Sequence, residues 1–250
     1  MGAGSKTERN VKTIGLIGGM SWESTLVYYR ALNEGVRARR GALHSAEVLL
    51  HSLDFESVVR LQKAGRWSDA GAMLGAAGAG LARAGADCVL ICTNTMHLVS
   101  DAVARAAGVP LIDIIAETGR TIAAAGRRRP LLLATRYTME HGFYAERMRA
   151  GSGIDVMVPG PDDRGLVHGI IFDELCQGLV RDSSRARMME VIARGVAEGA
   201  DSVILGCTEI CLLLDPARLG APGFDSTAIH ARAALDFALG AESDAGRRAA

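Results

Sequence analysis

Lysine is almost missing from this 250-residue chain: Lys6, Lys12 and Lys63 stand alone among 28 basic side chains. A pyridoxal phosphate enzyme needs a well-placed Schiff-base lysine. Lys6 lies in the expected tail, Lys12 precedes the first strand, and Lys63 sits beside Gln62, Gly65 and Arg66 near a helix end. None suits that role, and no cofactor is expected. An excess of charge is missing too, since 28 acidic residues balance the basic ones. That argues against nucleic acid or a membrane surface as a partner. No apolar run approaches the roughly eighteen residues of a membrane helix. Met1 to Asn10 carry no apolar h-region, so no secretory signal is visible, and residues 1–10 read as a frayed, disordered start. Five cysteines, an odd number without framework spacing, read as reduced thiols of a cytoplasmic protein. The six histidines have no metal-ligand spacing, so no metal is expected; His51, His97 and His168 read as structural.

What is present is alternation. Thr13 to Ile17 reads as a buried strand running into Gly18-Gly19, with Ser21 as N-cap of a helix through about Arg39. Glu47 to Ser52 is a second strand, and Asp54 can cap a helix from Phe55. An Ala/Gly-rich helix runs from about Ser68 to Ala84, followed by the strand Cys88 to Cys92. A helix from Met96 to Ala107, stopped by Gly108, leads to the strand Val109 to Asp113. The pattern then restarts: helix 115–125, strand 130–134, strand 155–158, helices 163–180 and 183–198, strand 202–205, and a last helix 226–239. Such alternation predicts parallel sheets covered by helices. We read two pseudo-symmetric α/β domains, residues 11–113 plus 222–250 and residues 114–221, with the site in the cleft between them.

The strongest repeat pairs Ala86-Asp87-Cys88-Val89-Leu90-Ile91-Cys92-Thr93-Asn94 with Ala200-Asp201-Ser202-Val203-Ile204-Leu205-Gly206-Cys207-Thr208. Cys207 falls opposite Thr93. Ligands of parallel sheets bind beyond the carboxyl ends of strands, and helix N-termini there favour a carboxylate. Four polar clusters meet that condition: Gly18-Gly19-Met20-Ser21, Thr93-Asn94-Thr95, Thr135-Arg136 and Cys207-Thr208-Glu209. Facing units would bring Thr93 and Cys207 to opposite sides of one small ligand, a geometry for moving a proton from one face of a carbon to the other. Blander readings compete. Gly18-Gly19 is also a tight turn, and Gly15-x-x-Gly18-Gly19 is not the dinucleotide spacing. Cys88, Cys92, Cys176 and Cys211 read as core thiols, Trp22, Tyr28 and Tyr29 as packing, and Arg127-Arg128-Arg129 as a solvated turn.

Gly18 to Thr25, Cys92-Thr93-Asn94-Thr95-Met96-His97, Thr135 to Glu140, Gly206-Cys207-Thr208-Glu209-Ile210 and Phe224 to His230 together resemble the aspartate/glutamate racemase family, in its amino-acid racemase branch. The resemblance spans about Val11 to Leu239. It implies a cofactor-independent racemase, two pseudo-symmetric α/β domains, a homodimer, and a cysteine on each face of the substrate α-carbon. Cys207 fills one of those positions. The other, normally the cysteine of Cys-Asn-Thr, is Thr93, a substitution that some relatives share.

A thiol with an ordinary pKa near 8.5 is expected to be lowered by helix N–H groups. A threonine hydroxyl is a far poorer base. Cys207 is therefore read as the group that takes the α-proton and Thr93 as the one that returns it, through water if needed. Cys92 points the opposite way along its strand. Asn94, Thr95 and Thr208 are assigned to the α-carboxylate. Met20 and Gln62 are assigned to the pocket, Arg164 to a side-chain carboxylate, and Glu209 to the amino group or a helix cap. The expected substrate is aspartate or glutamate. Two alternatives stand beside it: a single-thiol decarboxylase or cis–trans isomerase of small dicarboxylates, and a non-catalytic amino-acid-binding relative.

Overall fold

The computed structural model describes residues 11–240; the expected frayed start and residues 241–250 lie outside the described residues. Two parallel sheets carry the fold. The first has strands β1 (Ile14–Gly18), β2 (Val48–Ser52), β3 (Cys88–Ile91) and β4 (Leu111–Ile112) in the order β2-β1-β3-β4. The second has β5 (Pro130–Leu133), β6 (Ser202–Leu205) and β7 (Gly223–Asp225) in the order β5-β6-β7. All pairings are parallel. β1, β3, β5 and β6 are buried along their whole length, as strands covered by helices on both faces must be.

Four α-helices start where a short polar side chain holds free N–H groups. α1 (Trp22–Arg40) is capped by Ser21, which accepts from Ser24 N–H, and its last turn carries Arg37, Arg39 and Arg40 against the helix dipole. Asp54 caps α2 (Phe55–Lys63) through Ser57 N–H. α3 (Trp67–Arg83) lies against α4 (Ser100–Ala107) through small residues. A Cβ placed on Gly75 would sit 3.0 Å from that of Ala106, which explains the Ala/Gly richness of α3. Asp113 caps α5 (Ile114–Ala124), and α6 (Arg136–Glu140), α7 (Phe143–Ser152), α8 (Pro161–Gly169), α9 (Asp182–Ala197) and α10 (Ile210–Leu213) follow. Asp225 caps α11 (Ser226–Leu239), which returns to pack on α1.

Several boundaries differ from expectation. Residues 155–158 form a single bridge, Leu131 to Met157, not a strand. Met157 makes ladder bonds at 2.8 Å to Pro130 and Leu132, and Pro159-Gly160 then turns the chain into α8. The helix expected over 163–180 breaks after α8 into a π-turn (Ile170–Glu174) and a 3₁₀ turn (Leu175–Gln177), ending at left-handed Gly178. The helix expected from Met96 opens as a 3₁₀ turn, Thr95–Val99, and the strand expected over 109–113 narrows to β4 because Asp113 serves as a cap. Gly108 stops α4 in the left-handed conformation, as anticipated. The strand β7 was not anticipated, and it belongs to the second sheet. We accordingly propose that the chain crosses back to the first unit after Asp225, not at residue 222. No helix among the described residues is long and apolar enough to cross a membrane.

Candidate active site

Both sheets point their carboxyl ends at one cavity. Its walls include Met20, Ser24, Gln62, Thr93, Asn94 and Thr95 from the first half and Thr135, Phe172, Cys176, Cys207, Thr208 and Glu209 from the second. The cavity is partly open, and its interior admits water-sized groups over about 30 Å³. Of the residues expected at the site, eight converge here and Arg164 does not. Its Nε donates to Glu140 at 3.0 Å and its guanidinium to Pro159 O at 2.9 Å, outside the cavity lining.

The approach from β1 is a tight turn. Gly19 has φ +82°, and a Cβ there would lie 2.1 Å from Leu53 O. This turn delivers Met20 and Ser24 to the wall, with Ser21 beside them. Both hydroxyls donate to Glu209 Oε1, at 2.7 and 2.8 Å, across the boundary between the halves. The other carboxylate oxygen, Oε2, accepts from Cys207 Sγ at 2.9 Å. Cys176 Sγ lies 3.8 Å from Oε1. Glu209 is thus buried, with hydroxyls and thiols as its partners, and neither helix capping nor a cation occupies it.

The electrostatics of Cys207 reverse the expectation. Burial first, then the Glu209 carboxylate, push its thiol well above the usual range. The lowering expected from helix N–H groups is outweighed, and the thiol holds its proton. Burial and the same carboxylate raise Cys176. Cys88, pushed up to about 12 by burial, and fully buried Cys92 sit in the core against Ile14 and Leu16, as read from the strand pattern.

On the opposite wall, His97 Nε2 accepts from Ile114 N–H at 3.2 Å, so its Nδ1–H donates to Thr93 O at 2.8 Å. Burial pushes its pKa down, and the ring stays neutral. His97 is structural, as expected, but what it supports is the backbone of Thr93. Behind it, Tyr28 O–H donates to His230 Nδ1 at 2.8 Å while His230 Nε2–H donates to Ile112 O at 2.7 Å. Thr95, Thr135 and Thr138 close a buried triangle of hydroxyls at 2.9, 3.0 and 3.2 Å. Gln62 Nε2 reaches Met96 Sδ at 3.1 Å. Ser24 and Phe172 were not assigned to the site from the sequence, and Cys176, read there as a core thiol, lines the cavity. Phe172 and Cys176 arrive through the π-turn and the 3₁₀ turn, which helical periodicity does not reveal. Among the described residues no group of three or more His, Cys, Asp or Glu is arranged to hold a metal ion.

Two parallel sheets whose strand ends bring Thr93 and Cys207 to the lining of one cavity define an α/β protein. The chain belongs to the Asp/Glu/Hydantoin racemase family, whose model matches residues 17–234, and with it the chain is an isomerase of the racemase type. It is similar to the crystal structure of a candidate Asp/Glu racemase from Yersinia pestis, at 46% identity and TM-score 0.85, covering 91% of this chain and 99% of that one. It is also similar to PH1733, an aspartate racemase homologue from Pyrococcus horikoshii OT3, at 32% identity and TM-score 0.80, with coverage of 91% and 99%. Aspartate racemase from Picrophilus torridus shares the fold at 20% identity and TM-score 0.73, with coverage of 91% and 94%.

Proposed function

We propose that this protein racemises α-amino acids without a cofactor, with Cys207 and Thr93 on opposite faces of the substrate α-carbon. The observation that carries the reading is convergence: the residues ending β3 and β6, from two different sheets, line one cavity. Cys207 gives its proton to Glu209 Oε2, its partner at 2.9 Å, and the thiolate takes the Cα proton. Backbone N–H groups at the helix starts spread the carbanion charge. Thr93 delivers a proton to the other face, and solvent carries one back from Glu209 to the threonine oxygen. His97 keeps the Thr93 carbonyl, and so the hydroxyl, in register.

Incubating the protein with pure L-amino acids in D₂O tests this. Cα deuteration and the D-enantiomer are expected together, and Cys207→Ala is expected to abolish both. The decarboxylase and dicarboxylate isomerase reading fares worse, because the charged group that lines the cavity is Glu209, itself an anion. A non-catalytic binding relative is separated by the same experiment: amino acids would raise the melting temperature without deuteration. Assembly as a homodimer in the cytoplasm belongs to the proposal as well and rests on the family resemblance; sedimentation tests the dimer.

A further inference from the structure

Helix α7 carries a cation that the proton transfer described above does not use. Arg147 reaches from α7 to three acceptors around the turn that follows Thr93. Its Nη1 donates to His97 O at 3.0 Å and to Ser100 Oγ at 2.7 Å, and its Nη2 to Asp113 Oδ2 at 2.6 Å. His97 is then held through both its backbone and its ring. The carbonyl accepts from Arg147 and from Ser100 N–H, while the ring spans Thr93 O and Ile114 N–H. Burial keeps that ring neutral against the pull of Asp113, and the Arg147 charge acts with the burial. The helix that bears Arg147 is closely seated. A Cβ at Gly119 of α5 would stand 2.5 Å from Ser152 Oγ and 3.0 Å from Met148 Sδ of α7. Asp113, at the head of α5, gives its other oxygen to the N–H groups of Ile115 and Ala116. The guanidinium therefore sits in a frame set by backbone, and its planar fork joins acceptors that an ammonium on a flexible stem would not hold together.

We propose that Arg147 is a positioning residue for the Thr93 side of the site. It fastens the His97 carbonyl, His97 fastens the Thr93 carbonyl, and the threonine hydroxyl is thereby kept in line to deliver its proton. The assignment rests on the racemase reading and deepens it. Arg147 is not part of the cavity lining, so it acts through His97 and not on the substrate. Cys207 and Glu209 follow β6, and none of the three bonds of Arg147 reaches them. Its loss therefore spares the Cys207 face.

Deuterium uptake in D₂O by the full chain, from pure enantiomers of aspartate, glutamate, alanine and serine, tests the proposal. For the enantiomer whose Cα–H faces Cys207, inversion needs Thr93, whereas exchange with retention needs Cys207 alone. Arg147→Met is expected to lower the ratio of inversion to retained exchange about tenfold or more, with retained exchange within about twofold of the unaltered protein. An unchanged ratio, or equal loss of both processes, overturns the proposal. Arg149→Met, on the same helix but paired with Asp155, is expected to leave the ratio alone. A fall there as large as in Arg147→Met also overturns it. Should Arg147→Met not fold, Ser100→Ala takes its place with an expected fall of about threefold, and no fall overturns the proposal. A second arm needs no turnover. Solvent exchange of the His97 ring N–H, followed by NMR, should quicken about tenfold in the variant that folds. Unchanged N–H exchange contradicts the proposal. Quickened N–H exchange in a protein that, unaltered, neither inverts nor exchanges any of these amino acids would sink the racemase reading and keep the hold on Thr93.

Discussion

The two halves share one framework and differ at its tip. Asp87 and Asp201 begin the equivalent strands and make the same clamp. Asp87 takes Thr13 N–H on Oδ2 at 2.7 Å, while Asp201 Oδ2 takes Arg128 and Arg129 N–H at 2.6 and 3.0 Å. Both also bond through their own N–H groups to the residue before the neighbouring strand, Thr13 and Arg129, at 2.8 and 3.0 Å. At the other end Cys92 N–H meets Ile17 O and Gly206 N–H meets Leu133 O, at 3.0 and 2.8 Å. One residue further on the match ends. Thr93 is a hydroxyl whose backbone is held by a neutral histidine, and Cys207 is a thiol held by a carboxylate. In the mechanism we propose, a duplicated scaffold thus offers two groups of very different acidity to one ligand, and proton transfer in the two directions begins from unlike bases.

The largest effect that sharpens this contrast is removal of the thiol. Cys207→Ala should lower racemisation by roughly 10² to 10⁴, the usual worth of a positioned acid or base, measured by chiral separation. Next, Thr93→Cys restores chemical symmetry. The equilibrium constant of racemisation is near one, so kcat/KM must agree in both directions, but kcat need not. The variant should bring the two kcat values together by raising the slower one on the order of tenfold. Unchanged kcat values would break the comparison.

The histidines behind Thr93 give the stability counterpart. Burial pushes His97 down and His230 down to about 3. Unfolded, each takes a proton near 6.5. Their contribution is therefore present above about pH 6.5 and is lost as pH falls toward the folded values. Melting temperature should drop below about pH 6, and a flat acid profile would contradict buried neutral rings. The smallest effect concerns the clamps. For Asp201, burial raises the pKa, but Ser202 and the N–H groups of Arg128 and Arg129 outweigh it and leave the carboxyl below its ordinary value. Asp201→Ala should cost about 1 to 2 kcal/mol in denaturant melts, and Asp87→Ala, with its single N–H partner, less.

Much of this was legible in the chain. Buried strands ending in small polar residues announced themselves, and the match of Ala86-Asp87 to Ala200-Asp201 exposed the duplication before any coordinates. Capping at Ser21 and Asp54 followed from side chains that compete for helix N–H groups. What escaped depended on distant partners. The ion pair of Arg164 with Glu140 spans 24 residues, and Cys176 reaches Glu209 only because the helix before it unwinds. The raised Cys207 thiol escaped for the same reason: the thiol is recognisable in sequence, but its burial is not.

The asymmetry of the two faces is tested most directly by Thr93→Ala in D₂O, starting from each pure enantiomer. The enantiomer whose Cα–H faces Cys207 should gain deuterium with retention of configuration, while the other stays inert and neither inverts. Continued interconversion of both enantiomers in that variant would contradict the account.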